Sequence, residues 1–423
     1  MNRHLGLLLC LFLWTFLPAT ALFAGASVNT VCGSLSLDGE WDSNIYLEDK
    51  GEDSAWLYGV TGILIYSNEE QFGRSDLNYS LRVRQNTETN DAEVEHMISL
   101  YLTRELRKEF SIELSDLFDT GFDTLSQIAR DQRLYKRKKR RRYYTNTARL
   151  SANYSYGDRR DVTMGYNNQY YDSNGNYTNE YMRHEFFATW EHKFGTHYGL
   201  AASAEYEKGD FKDSADTEGE AFDIGIINYL TPHDTVSLTY AYSNFTYRED
   251  RSDYTTQTLS FGWTREITER DVIHTDIGVS YWENDADDSD WTPRYETDYT
   301  RRFRRGSVTL NGSGGFGNMS YSGDNAGLSK YWMVEISFNY ELIERLQLIG
   351  SLNFRHDDFI QSVNDHQEDR YLTKVGLDYT IWKRLSTGIS YEYNIIDSTL
   401  PDDDFTDHRI FVFITAMKDL YRW

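Results

Sequence analysis

The chain has 423 residues, with 43 Lys+Arg against 67 Asp+Glu, a formal net charge of −24, and it is 15% aromatic with 33 tyrosines but only 4 prolines. Its mean hydropathy is −0.65. Beyond the N-terminus no run of about 18 apolar residues occurs, which excludes helical membrane spans.

The chain begins MNRHLGLLLCLFLWTFLPATALFAGAS. One cation, Arg3, then an apolar core from Leu5 to Leu17, then small residues after Pro18 is the order of a secretory signal peptide. Residues 1–21 are expected to be removed by cleavage after Ala21, or as late as Ala24 or Ala26. What remains carries a net charge of −25 and a single cysteine, Cys32. One thiol makes neither an internal disulfide nor a multi-cysteine zinc site. Asn29-Thr30-Val31 before it lacks the residues a lipoprotein acceptor cysteine needs, so Cys32 reads as an idle thiol.

From residue 33 to 423 alternation appears almost everywhere. It runs through Leu77–Val83, Ala148–Tyr156, Val236–Ser243, Leu259–Trp263, Ile273–Tyr281, Trp332–Tyr340, Lys374–Ile381 and Ile389–Ile395. Period two means strands with one apolar and one polar face. The apolar face is rich in Tyr, Trp and Phe, as expected where it meets lipid between aromatic girdles and the polar face meets water inside. The prolines avoid these runs: Pro18 lies in the signal, and Pro232, Pro293 and Pro401 fall in turn-like stretches.

Connections alternate in length. Residues 192–199, 230–235, 265–271, 301–307, 341–347 and 381–386 are short; 207–220, 282–291, 355–369 and 396–407 are longer and acidic. Short turns on one side and long loops on the other predict an all-β, transmembrane, antiparallel up-and-down β-barrel of about 18–20 strands, the lower count applying if segments before Tyr66 stay out of the wall. Even parity places both termini in the periplasm. The acidic loops, "DADDSD" (285–290) and "PDDD" (401–404), lack EF-hand spacing and read as loose cation screening. No cofactor or metal is expected.

Between the strand ending near Leu117 and the one starting near Tyr143 lies the longest loop, an outside loop by parity. It carries seven consecutive cations: Lys136, Arg137, Lys138, Lys139, Arg140, Arg141 and Arg142. Alone such a run suggests nucleic acid, but a secreted chain has no access to it. It suits anionic lipid or capsular sugar at the rim, an inward constriction containing a short helix within "FDTLSQIARDQRLYKRKK", or a solvated charge block. The polar face predicts a lumen lined by Arg82, Arg84, Arg149, Glu205, Asp276, Glu335, Lys374, Asp378 and Glu392. Both signs are mixed there, which favours a general aqueous conduit over a charge-selective one.

The chain ends RIFVFITAMKDLYRW. A last strand closing on Tyr421 and Trp423 resembles the insertion signal read by the outer-membrane barrel assembly machinery. Counting back in twos, Asp419 falls where an apolar residue is expected.

LSLDGEWDSNIYLED (35–49) and GISYEYNIIDSTLPDDDFTDHRIFVFITA (388–416) resemble the entry strand and last hairpin of a family of porin-like outer-membrane β-barrel proteins. Trp41-Asp42-Ser43-Asn44-Ile45-Tyr46-Leu47 departs from that family's pattern by Trp for Tyr and Ser for Asp. The resemblance implies a barrel across the mature chain, and association of some members with exopolysaccharide export makes a glycan a candidate cargo. Outer-membrane lipid, the assembly machinery and an anionic polysaccharide are the expected partners.

No HExxH pair, GxSxG elbow or phosphate-binding glycine loop occurs, so an enzyme is not expected. Asp357-Asp358 and Asp407-His408 resemble the paired Asp-Asp and Asp-His of omptin-type surface proteases, which gives a hydrolase as the least favoured alternative. The leading expectation is a channel for small hydrophilic solutes or exopolysaccharide. A barrel without an open pore, serving as a surface scaffold for polysaccharide machinery, is the other.

Overall fold

The computed structural model describes residues 28–49, 52–122, 125–128, 133–136, 142–173, 180–212, 215–248, 252–318, 328–360, 366–400 and 404–422. The expected signal peptide, Arg137 to Arg141 and Trp423 lie outside the described residues.

The chain opens with β1 (Val28–Asp42), β2 (Ala55–Glu70), β3 (Gly73–Asn86), β4 (Ala92–Arg107) and β5 (Phe110–Gly121). Two short strands follow, β6 (Leu125–Ile128) and β7 (Arg133–Lys136). Then come β8 (Tyr143–Gly157), β9 (Arg160–Ser173), β10 (Tyr181–Phe194), β11 (Tyr198–Phe211), β12 (Thr217–Thr231), β13 (Asp234–Tyr247) and β14 (Tyr254–Thr268). The remainder are β15 (Asp271–Asn284), β16 (Ser289–Phe303), β17 (Gly306–Asn318), β18 (Leu328–Ile343), β19 (Leu346–Phe359), β20 (His366–Trp382), β21 (Leu385–Ser398) and β22 (Phe405–Arg422).

Setting β6 and β7 aside, which pair only with each other, 20 strands form one antiparallel sheet. β1 pairs with β22 from Thr30↔Arg422 to Asp42↔Arg409, so the sheet closes on itself. Closure pairs the first strand with the last, so the wall has no free edge strand. The segments before Tyr66 do join the wall, and β1 begins at Val28, upstream of the expected start at 33, because Val28 to Cys32 already pair with Glu69 to Ile65 of β2. At about 3.3 Å per residue and a tilt near 40°, strands of 14 residues give a wall about 35 Å tall, more than the ~25 Å apolar band requires.

Three local expectations are corrected. In the connection between β5 and β8, residues 125–128 pair with 133–136 as two short strands, where one of the three alternatives placed a short helix. Pro293 lies within β16 rather than in a turn, opposite Val279 of β15. Proline is tolerated in a strand whose ring nitrogen faces away from a ladder. Asp419 is explained by a bulge: Val31 pairs Tyr421 and Cys32 pairs Asp419, so Leu420 is the extra residue. The bulge turns Asp419 inward, where it accepts a hydrogen bond from Cys32 Sγ at 3.3 Å, and leaves Leu420 and Tyr421 54% and 62% exposed on the outer face.

A candidate functional site in the barrel interior

Alternation sorts the side chains onto two surfaces. On β13, Leu238, Tyr240 and Tyr242 are exposed outside, while Thr239 and Ala241 between them are half-buried inside. The nine expected lumen residues follow the same rule. Exposed Val83 stands between Arg82 and Arg84, Leu150 is next to Arg149, Ile277 next to Asp276, and Ile336 next to Glu335. Val375 is next to Lys374, Leu377 and Tyr379 flank Asp378, and Tyr391 precedes Glu392. Glu205 pairs with Phe187, one rung from the exposed Phe186.

Inside, these charges meet one another. Arg82 Nη2 donates to Asp38 at 2.9 Å, Arg294 Nε lies 3.8 Å from Asp276, the Asn311 side-chain amide lies 3.3 Å from Glu335, and Lys374 donates to Glu392. The Arg149 guanidinium lies 4.7 Å from the Phe187 ring centre. Asp378 has no room for a larger neighbour than Gly388, where a Cβ would lie 2.3 Å from its Oδ1. Towards the end that carries the termini the inner face combines small polar groups such as Ser237, Thr239, Thr264 and Thr309 with charged ones such as Arg74, Asp76, Glu191 and Lys193.

At the opposite end, where the long connections emerge, the inner face is packed. Arg84, its side chain 0% exposed, donates from Nη1 to Glu40 at 3.0 Å and from Nη2 to Glu95 at 2.5 Å, with Glu93 3.8 Å away. Glu40 also lies 4.0 Å from Arg409, whose Nε donates to Asp407 at 2.6 Å and faces Asp42 at 3.4 Å. Arg355 donates to Asp357 at 2.6 Å, and Ser329 Oγ donates to the same carboxylate at 2.9 Å. Arg370 donates to Glu368 at 2.8 Å, and Arg183 donates to Glu207 at 3.0 Å with Glu185 3.1 Å away. Between these ionic groups sit two aromatic clusters: Tyr143, Tyr171 and Tyr181 with Phe211, and Phe245, Tyr247, Tyr254 and Trp282 with Leu328.

The two motifs that carry the family resemblance converge here. The connection after β1 folds over the ends of β21 and β22. Asn44 Nδ2 donates to Glu48 O at 2.8 Å and to Thr406 O at 3.0 Å, while its Oδ1 accepts the Glu48 N–H at 2.9 Å. The Asn44 N–H donates to Asp42 at 2.9 Å. Leu47, at φ 55°, is 1% exposed and packs on Ile396 and Phe405. Ile45 packs on Ala55 and Leu57.

Much of this ring was not singled out from sequence, although it carries a signal. Arg183/Glu185, Arg355/Asp357, Glu368/Arg370 and Asp407/Arg409 are opposite charges at i and i+2 near strand ends. Period two puts both members on one face, so each pair is a self-satisfied inward couple.

The omptin-like pairing is not assembled. Asp357 and Asp407 are both buried on the inner face and held by Arg355 and Arg409. His408 is on the other face, accepting from or donating to Tyr391 Oη at 2.8 Å, and β20 and β21 separate the two strands. In the basic run, Arg142 is described: its Nε donates to Thr120 Oγ1 at 3.5 Å and its guanidinium lies 5.3 Å from the Tyr144 ring centre.

Residues 302–418 match the family described as Putative beta-barrel porin 2, in agreement with the resemblance seen in the last hairpin. No curated protein matches the chain. Among solved structures, the FrpB iron transporter from Neisseria meningitidis (F5-1 variant) is similar with a TM-score of 0.55 at 9% identity, over 91% of this chain and 82% of that one. The siderophore receptor PirA from Pseudomonas aeruginosa gives a TM-score of 0.52 at 11% identity, over 92% of this chain and 80% of that one. At such identities the likeness is one of fold: a closed outer-membrane β-barrel.

Proposed function

We propose that this integral outer-membrane barrel is a channel passing small hydrophilic solutes or exopolysaccharide. The observation that supports it is the division of faces: exposed Leu, Ile, Tyr and Trp outside, and Ser, Thr and compensated charges inside a closed 20-stranded wall. Such a bore keeps a solute hydrated during passage. The signal peptide at 1–21 would deliver the chain across the inner membrane, and Tyr421 and Trp423 would present it to the assembly machinery. Reconstitution in planar bilayers tests the reading. Ohmic current steps are expected; a trace closed at every voltage would overturn it.

The packed ring supports a second reading, a surface scaffold for polysaccharide machinery whose bore stays shut at the long-loop end. Here the basic run at 136–142 would contact anionic glycan or lipid phosphate. Replacing Lys136 to Arg142 with neutral residues should then weaken retention on an anionic glycan column, and unchanged retention would remove that role.

A further inference from the structure

The β16–β17 register ends at Tyr295↔Gly314, although β16 continues to Ser289 against β15 and β17 continues to Asn318 against β18. Among the described residues, this is the one interface where both strands run on towards the long-loop end well past their last shared rung. Residues 289–293 of β16 thus border a seam reaching about 13 Å down from the rim.

The local sequence explains the seam. Pro293 removes a donor from the β16 edge, and β17 is built there from Gly312, Gly314, Gly315 and Gly317. A Cβ on Gly314 at the last rung would lie 2.5 Å from the Tyr295 ring, which would have to move aside. Gly315 has φ +151°, which other residues rarely adopt. No side chain from these glycines fills the seam.

Apolar groups stand on both sides of it, next to the inward Asp290, Thr292 and Arg294 of β16. Outside, Trp291 is 61% exposed and Pro293 is exposed beside Val279. Inside, Trp282 and half-buried Phe316 lie 6.5 Å apart between ring centres and belong to the cluster with Tyr254, Phe245 and Leu328. A cluster of aromatic and aliphatic side chains thus stands directly behind a break in the ladder. Lys330 of β18 donates to Asp290 of β16 across the end of β17, an ionic latch over the opening.

We infer that the β16–β17 seam is a lateral portal, through which a single acyl chain of an amphipathic molecule moves between the outer leaflet and the Trp282–Phe316 cluster. This does not depend on the bore conducting ions. The test is photolabelling of the full-length protein in phosphatidylcholine vesicles containing a diazirine-bearing C16 fatty acid, with labelled residues read by mass spectrometry. Labelling of Trp282 and Phe316 is expected. An ideal Cβ on Gly315 lies 3.9 Å from the Arg294 Cβ, within disulfide spacing. Oxidised Arg294→Cys/Gly315→Cys should lose the inner labelling and regain it on reduction. Should the strained Gly315 site prevent folding, Pro293→Val, which restores a backbone donor, should reduce the inner labelling instead. Labelling confined to outer residues such as Trp291 and Val279, or inner labelling indifferent to both the cross-link and Pro293→Val, would overturn the portal.

Discussion

Asn44 Nδ2 donates to the carbonyl oxygen of Thr406 across 3.0 Å, tying the first connection of the chain to its last strand. The same side chain satisfies both backbone groups of Glu48, and it is 0% exposed. Asn44→Leu keeps the volume and leaves these buried partners without their bonds. A loss of about 2–3 kcal/mol is expected, since orphaned buried polar groups cost more than the bond itself contributes. Urea titration in detergent micelles, followed by heat-modifiable migration in gels, measures it. Asn44→Asp should fall between the two, because it retains the acceptor for the Glu48 N–H and loses both donations.

Arg84 gives a larger effect. It is fully buried among Glu40, Glu93 and Glu95. Arg84→Met leaves three carboxylates facing one another in a low-dielectric site, and removing one member of a buried ionic group typically costs about 3–5 kcal/mol. Adding Glu95→Gln should restore part of that loss. If Arg84→Met unfolds at the same urea concentration as the unsubstituted protein, the group is hydrated and the packed ring is not a closed layer.

Thr239 and Leu238 are adjacent and face opposite ways. Leu238→Arg places a cation against lipid and should cost about 2–4 kcal/mol if its position is near the bilayer midplane. Thr239→Arg places the same charge in the bore, where Gly225 is its cross-strand partner, and should leave stability nearly unchanged. Refolding yield into lipid vesicles separates the two. Equal losses would mean that the inner surface is dry.

The barrel was legible because its rule is local. Most wall strands carry the two-residue period, and Tyr240 or Ile277 declares its face without knowledge of any partner. The ends of strands were less legible, because what happens there depends on pairing. Pro293 looked like a turn residue since only the neighbouring β17 shows that its nitrogen faces a seam. Asp419 looked out of place until Leu420 was counted as a bulge. Asn44 was visible as part of a motif, but its role needs Thr406, which follows it by 362 residues. The inner-face placement of the nine named residues follows from alternation; the inward couples Arg355/Asp357 and Asp407/Arg409 required the further step of reading opposite charges two apart as one buried unit.

Lys374 tests whether the inner charges act on what passes. Its Nζ donates to Glu392 and lies 5.9 Å from the centre of the Phe411 ring, on the polar side of the wall. Lys374→Glu replaces that pair with two carboxylates and makes the local field negative. If solutes travel along this surface, the reversal potential in a KCl gradient should move towards the potassium equilibrium value. The sign follows because a negative wall enriches cations and depletes chloride in the bore. The shift should be larger at 0.1 M salt, where charges act over about 10 Å, than at 1 M, where they act over about 3 Å. A reversal potential that is the same in both proteins at low salt would mean that ions do not pass Lys374, which would shift the balance to the scaffold reading with its bore shut.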